Sequence, residues 1–337
     1  MYTVGLDVHY RTSTLCILGE DGRLVKTRTI RGSWKKLLAA VEEIPRPFQI
    51  TYEASCGYGH LHDVLIRVAR RVVVAHPGRL RLIYLAKRKS DRVDAGKLAK
   101  LLYIDQVPTV HVPDSSVRAW RAMIEYRRRL LDKRTRCKNA IRSLLRSFGV
   151  ESPRGQRLWT KKGRTWLSER ELPDPLSRGQ WRMLLEELDH FNRQVKEATG
   201  TLDQVAQRHP GVGLLKTIPG IGPRTAEAVV AYVDQPDRFH RSRQVGSYFG
   251  LTPSQDDSAD VRRTGHITKN GPSTVRKLLV EAAWQAIRHS ETFKRNFERI
   301  AAGKPERRKI ALVAIANRLA RVMAAMLRTG EVWREAA

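Results

Sequence analysis

The sequence predicts an α/β domain at the N-terminus followed by an all-α remainder with central coiled-coil helices. Two observations lead there. Short apolar runs of strand character crowd the first ~110 residues and alternate with helical patterns, with Gly and Pro between them. From Ser116 onward, apolar residues recur at helical spacings of three and four.

In chain order, Tyr2 to Asp7 and Thr12 to Leu18 read as strands flanking a turn, and Gly19-Glu20-Asp21-Gly22 is a hairpin signal leading into a strand from Leu24 to Ile30. A helical segment around Trp34 to Ile44 precedes a strand from Phe48 to Glu53, and a helix follows Gly57-Tyr58-Gly59. Val72 to Ala75 is a short buried strand closed by His76-Pro77-Gly78, and Val107 to Val112 is a candidate last strand. Three consecutive strands followed by alternating helices and strands is the order of a ribonuclease-H-like domain, assigned here to residues 1–115. In that architecture, acids ending the first strand, on the fourth strand and on a late helix meet at one sheet edge.

Residues 116–207 form a second, helical region. Trp181, Leu184, Leu188, Phe191, Val195, Ala198, Leu202 and Val205 alternate spacings of three and four, the pattern of a coiled-coil seam. The seam suits self-association or an intramolecular helix pair equally. Upstream, Val117, Trp120, Ile124, Leu131, Cys137, Ile141, Leu144 and Phe148 mark an apolar stripe on a strongly cationic helix. From Arg118 to Arg164 there are 16 Lys and Arg against 3 acids, a net of +13. Such an imbalance predicts nucleic-acid contact through Arg128, Arg129, Lys133, Arg134, Lys138, Arg142, Lys161 and Lys162. The linker near 151–175 carries Trp159 and Trp166 among basic residues, where they can stack on unpaired bases or pack under a helix pair.

The third region, 208–337, reads as all-helical. Ile218-Pro219-Gly220-Ile221-Gly222-Pro223 resembles a helix-hairpin-helix turn, able to present backbone N–H groups to a phosphate or to serve as a tight structural turn. A polar loop between Gly250 and Gly271 holds Ser258 beside Arg262, Arg263, His266 and Lys269. Cations near a serine stabilise its alkoxide and a pentavalent phosphorane, although a loop serine taken alone is a weak signal.

Lys plus Arg is 63 against 34 for Asp plus Glu, a net charge of +29, which implies a polyanionic partner. With 41% hydrophobic residues the chain can still bury a sizeable core. No stretch approaches ~18 uninterrupted apolar residues and no signal-peptide pattern opens the chain, so the expected setting is cytoplasmic, with no membrane partner. Cys16, Cys56 and Cys137 are too scattered for a disulfide framework or zinc site and read as reduced packing residues.

Against that basic background, Asp7, Glu53, Asp91 and Asp94 stand out. Two strands deliver one acid each, and Asp91 and Asp94, three apart, share a helix face. Four converging carboxylates, being hard ligands, suit one or two Mg2+ ions of the kind that clamp a phosphodiester. Structural ion pairs are the competing explanation for each acid taken singly.

The first part of the chain resembles the DEDD-type, RuvC-like domain of the insertion sequence 110 family of transposases. The matching residues are Gly5-Leu6-Asp7-Val8-His9, Tyr52-Glu53-Ala54-Ser55-Cys56-Gly57 and Ser90-Asp91-Arg92-Val93-Asp94-Ala95. The second part resembles the same family's C-terminal transposase domain in Pro219-Gly220-Ile221-Gly222, Tyr248-Phe249-Gly250-Leu251-Thr252-Pro253 and Gly265-His266-Ile267-Thr268-Lys269-Asn270-Gly271. The resemblance implies a serine recombinase guided by a structured non-coding bridge RNA, acting on donor and target DNA as a dimer or tetramer. The acids would hold Mg2+, and Ser258 would form a covalent phosphoserine link. Each active site would combine two subunits. Ala259 departs from the glycine that usually follows this serine in the family; Ser254 and Tyr248 are the less favoured nucleophiles. A RuvC-like junction nuclease, a site-specific invertase and a non-catalytic architectural protein are the alternatives.

Overall fold

The computed structural model describes residues 1–55, 57–83, 90–258 and 261–335, with only the backbone at 81–83, 257–258 and 261–262. Two compact units follow each other along the chain, Met1–Arg118 and Ala119–Ala337. The expected packing role of Cys56 falls outside the described residues, whereas Cys16 and Cys137 are buried free thiols.

The first unit is built on a five-stranded mixed sheet in the order β3-β2-β1-β4-β5. Its strands are β1 (Tyr2–Val8), β2 (Thr12–Leu18), β3 (Leu24–Arg31), β4 (Phe48–Glu53) and β5 (Arg71–Ala75). The first three pair antiparallel as a meander, and β4 and β5 add parallel to β1. Helices α1 (Trp34–Glu42), α2 (Tyr58–Leu65), α3 (Pro77–Ile83) and α4 (Asp91–Tyr103) complete the unit. The predicted strand at Val107–Val112 is reduced to an isolated bridge, Ala75 to Thr109, and the turn predicted at Pro77 opens α3. Proline at a first helical position has no N–H to lose, so the turn signal and the helix start coincide there.

Alternation along β1 sorts its side chains. Val4 and Leu6 face a core shared with Leu15, Ile17, Leu37, Val41, Ile50, Leu61 and Leu65. Gly5 and Asp7 point to the other face, which α4 covers through Ala95 and Ala99 against Cys16 and Leu18. A Cβ at Gly5 would lie 2.1 Å from the Ala95 carbonyl oxygen and 2.4 Å from the Ala99 nitrogen. The α4 backbone therefore rests directly on β1.

The second unit opens with most of the long helix α5 (Ser115–Ser147) and continues through α6 (Lys161–Ser168) to α7 (Pro175–Arg208). Buried Leu130, Cys137, Ile141 and Leu145 of α5 form one cluster with Trp181, Leu188, Phe191, Val195 and Ala198 of α7. Arg127 Nε donates to Thr199 Oγ1 and the Cys137 thiol to the Leu184 carbonyl, so the two helices run antiparallel. The heptad seam is thus largely occupied within the chain.

The remaining helices are α8 (Pro210–Leu215), α9 (Pro223–Val233), α10 (Arg243–Tyr248), α11 (Ser273–His289), α12 (Glu291–Ala301) and α13 (Arg308–Thr329). One point corrects the all-helical expectation: Pro253–Ser258 and Val261–Ile267 are strands, β6 and β7, paired as an antiparallel hairpin. Their composition is polar and their described residues are largely exposed, so no apolar alternation announced them. At the helix-hairpin-helix-like turn Gly220 has φ +83°, and a Cβ there would lie 2.8 Å from the Gln285 backbone carbon. This turn docks on α11. Helix α13 supplies the core with Ala311, Ile315, Leu319, Ala320 and Met323. By length and composition residues 305–329 pass as a membrane span, yet half of the most apolar window is buried inside this unit.

Glu227, in the middle of α9, is 2% exposed. Its Oε1 lies 3.1 Å from Arg224 Nη1, and its Oε2 has no hydrogen-bond partner. Burial pushes the carboxyl up to about 7, against the pull of Arg224 and Arg127. The folded state therefore holds this proton more tightly than the unfolded chain, so the contribution is most favourable below the ordinary value of 4.5 and is lost as pH rises through about 7. Glu227→Gln is expected to stabilise the protein by about 1–3 kcal/mol at pH 8 and to leave it nearly unchanged at pH 4.5, read from chemical denaturation at the two pH values.

Candidate active site

Three elements of the first unit deliver acids to one place. Asp7 lies near the end of β1 on the face covered by α4. Glu53 ends β4, and the register that sets Gly5 opposite Thr51 and Leu6 opposite Tyr52 carries Glu53 alongside Asp7 on that same face. Asp91 and Asp94 occupy the first turn of α4, where Ser90 caps the helix by accepting from the Val93 N–H. Negative charge is favoured at that end of a helix.

The tightest group is Asp7, His9 and Asp91, whose ligand atoms all lie within 4.8 Å of one another. His9 Nε2 is 3.4 Å from Asp7 Oδ2 and 3.7 Å from Asp91 Oδ1. Asp94 accepts from Lys97 Nζ at 3.4 Å. Burial raises the Asp7 carboxyl above its ordinary range; His9 opposes this, and the charges of Asp91, Asp94 and Glu53 raise it further. The charges of Asp91, Asp94 and Glu53 all act on Asp7, an arrangement that suits a divalent cation. His9 was not foreseen as a member. The signal was present in Gly5-Leu6-Asp7-Val8-His9, where two positions along an extended chain return a side chain to the same face.

In the second unit the β6–β7 hairpin carries Ser258 at its tip, with backbone register Ser258 to Val261, Asp257 to Arg262 and Asp256 to Arg263. The side chains of Ser258 and Arg262, and all of Ala259, lie outside the described residues. What the motifs flanking the hairpin do is visible. Gly250 (φ +66°) would place a Cβ 2.3 Å from the Asn270 carbonyl oxygen, and Gly271 (φ +69°) one 2.0 Å from that of Tyr248. The Thr268 N–H donates to the Thr252 carbonyl, and Arg276 Nη1 donates to the carbonyls of Phe249 and Asn270. The base of the hairpin is therefore clamped backbone to backbone, and Pro253 to Asp256 and Arg263 to His266 on its two strands are exposed. Arg263, His266 and Lys269 are exposed on it.

The other two nucleophile candidates are engaged structurally. The Ser254 hydroxyl donates to the His266 carbonyl at 3.2 Å. Tyr248 packs against Phe239, Phe249 and the Arg238 guanidinium.

Among the basic residues, Arg128 pairs with Asp132 along α5 and Arg129 lies over Tyr126. Lys138 Nζ and the Arg142 guanidinium sit 4.8 and 5.1 Å from the Trp159 ring centre. Trp159 and Trp166 are half-buried against the α5–α7 pair, so packing accounts for both. Burial, with Arg134 and Arg142 nearby, lowers the Lys138 ammonium. Lys133, Lys161 and Lys162 are exposed and Arg134 is half-buried.

Comparison with known proteins agrees with both halves of this architecture. Residues 4–149 match a family model described as "Transposase", that of the DEDD domain of IS110 transposases, and residues 212–298 match the "Transposase IS116/IS110/IS902 family". The chain is 27% identical to the transposase for insertion sequence element IS1111A of Coxiella burnetii over 335 residues, 98% of this chain and 91% of that protein. It is also 27% identical to a probable family 20 transposase of Pseudomonas aeruginosa over 83% of this chain and 84% of that one. Likeness to the IS1328 transposase of Yersinia enterocolitica is 25% over 85% of this chain and 86% of that protein. The mixed sheet with its cluster of acids and the two matched regions define a DNA-cleaving and recombining enzyme, a transposase. Within that class the chain belongs to the IS110 family. Its DEDD domain implies a divalent metal, and Asp7, His9 and Asp91 offer a place for one.

Two outcomes test this geometry. Asp7→Asn is expected to raise the melting temperature in metal-free buffer, because it removes a destabilised charge, while abolishing the stabilisation by Mg2+, which for a bound ion at a hundred times its Kd amounts to about 2.7 kcal/mol. Gly5→Ala, which drives a methyl into the α4 backbone, is expected to cost about 1–3 kcal/mol in denaturation and to weaken the same Mg2+ response.

Proposed function

We propose that this transposase cuts and rejoins DNA through Ser258, with Asp7, Glu53, Asp91 and Asp94 as its metal-binding acids and His9 beside them. The observation that carries the reading is the clamped hairpin. Its two glycine contacts and Arg276 fix the base, and the backbone register carries Ser258, opposite Val261, just beyond the Asp257–Arg262 and Asp256–Arg263 pairs. Preorganised cations stabilise charge developing on a phosphoryl group without reorganising during the reaction.

In this reading the Ser258 Oγ bonds to a backbone phosphorus as a P–O bond to deoxyribose breaks. The serine proton leaves, and the departing sugar oxygen takes one up. Rejoining reverses the step: a hydroxyl of the partner strand bonds to phosphorus and returns Ser258. One phosphodiester is exchanged for another, so no nucleotide triphosphate is consumed. One or two Mg2+ ions at the acids would supply positive charge to the scissile phosphate. Arg262, Arg263, His266 and Lys269 hold the strand at the hairpin, and Arg129, Lys133, Arg134, Lys161 and Lys162 hold more distant phosphates.

A structured guide RNA belongs to the same proposal. A surface of net charge +29 reads backbone and helix shape, while base pairing supplies sequence choice. So does assembly as a dimer or tetramer, supported by Leu176 and Met183 and by the last seam position Val205, which remain exposed on α7.

The test is a denaturing gel of the full chain with Mg2+, DNA bearing the element's junction and its flanking RNA. A covalent protein–DNA adduct, lost in Ser258→Ala and in Asp7→Ala, is expected. Cleaved DNA without an adduct, persisting in Ser258→Ala, would assign the chemistry to water and make the protein a hydrolytic nuclease.

A further inference from the structure

A second basic feature lies on the C-terminal helices, mostly beyond residue 298, where the family match ends. Helices α12 and α13, with Ser242 just before α10, enclose an open cavity of about 500 Å³. That is the size of pockets that hold a small molecule. Its polar lining is Arg299, Arg318, Arg321, Asn296, Asn317 and Ser242, and its floor is aliphatic, with Ile300, Ile315 and Val322. No carboxylate lines it.

Two of the guanidiniums are uncommitted. Arg299 and Arg321 are exposed and have no ion-pair or hydrogen-bond partner among the described residues. The third is held in place: Arg318 Nη1 donates to Asn296 Oδ1 at 3.1 Å. Asn317 Nδ2 donates to the Leu251 carbonyl at 3.3 Å, and a Cβ on Gly246 would lie 2.4 Å from that amide nitrogen. One wall of the cavity is thus tied to the segment leading into the serine hairpin.

We infer that this cavity binds an unpaired nucleotide of a nucleic-acid strand. Each part of the lining answers to a part of that ligand. Arg299 and Arg321 provide charge for the phosphate. The aliphatic floor covers a base that has left its stack, and the fixed Arg318 plane offers a face for it to stack on. Asn296, Asn317 and Ser242 can donate to and accept from base edges. A duplex keeps its base faces stacked inside and presents phosphates, sugars and groove edges, which leaves the floor of a concave site unfilled.

Photocrosslinking of the full chain tests the assignment with three probes of equal length: single-stranded RNA containing 4-thiouridine, single-stranded DNA containing 4-thiothymidine, and the corresponding duplex. Adducts are mapped by mass spectrometry. The expected result is an adduct within residues 296–322 from a single strand, not competed by duplex at the same phosphate concentration; whichever single strand reacts identifies the source. The Arg299→Ala/Arg321→Ala pair should lower the log-salt slope of single-strand binding by about 1.4, two contacts at about 0.7 each. Ala325→Trp, at an exposed lining position, removes no charge but fills the cavity and should reduce the adduct at least several-fold. Absence of an adduct in these residues from either single strand overturns the inference. So does an adduct that Ala325→Trp leaves intact, which would reduce the site to surface charge. Crosslinking requires no strand cleavage, so its outcome is independent of the serine chemistry.

Discussion

The first unit depends on one steric allowance, the missing side chain at Gly5. Because β1 carries no Cβ at that position, the α4 backbone settles on the strand with Ala95 and Ala99 at the contact. The same approach carries the capped first turn of α4, with Asp91 and Asp94, over the end of β1 where Asp7 emerges. Strand alternation does the rest: Gly5, Asp7 and Glu53 share a face, so the residue that admits the helix and the residues the helix meets are chosen by one parity. A bulkier residue at Gly5 separates the carboxylates without touching any of them.

A comparable device operates in the second unit. Gly250 and Gly271 let two backbone segments pass closely, and Arg276 ties their carbonyls together. The Gly-Leu-Thr-Pro and Thr-Lys-Asn-Gly stretches are therefore the mount of the hairpin, and the polar residues proposed for the chemistry lie between them. Glycines at both sites act by admitting a neighbouring backbone where a side chain would collide.

Legibility in the sequence followed the physical signal. Strands β1, β2, β4 and β5 were readable because apolar runs bounded by turns mark buried strands, and β4 was read with its observed bounds, Phe48–Glu53. The acids were readable as residues at the ends of those runs. The β6–β7 hairpin was not, since polar exposed strands carry no period-two contrast; its geometry comes from clamps formed by residues far apart in the chain. Val107–Val112 misled because an apolar run also serves a segment that touches the sheet at one bridge. His9 escaped because a histidine beside an aspartate gains meaning only when Asp91 arrives from 82 positions further on.

The antiparallel pairing of α5 with α7 has a consequence of scale. Thirty-three residues of α5 extend about 50 Å at 1.5 Å per residue. With Leu130, Cys137, Ile141 and Leu145 packed on α7, the other faces of α5 are rich in Arg and Lys. At 3.4 Å per base pair, 50 Å matches roughly fifteen base pairs, about one and a half helical turns of duplex. The helix pair is thus long enough for the phosphate contacts proposed along α5 to span more than one turn of a duplex.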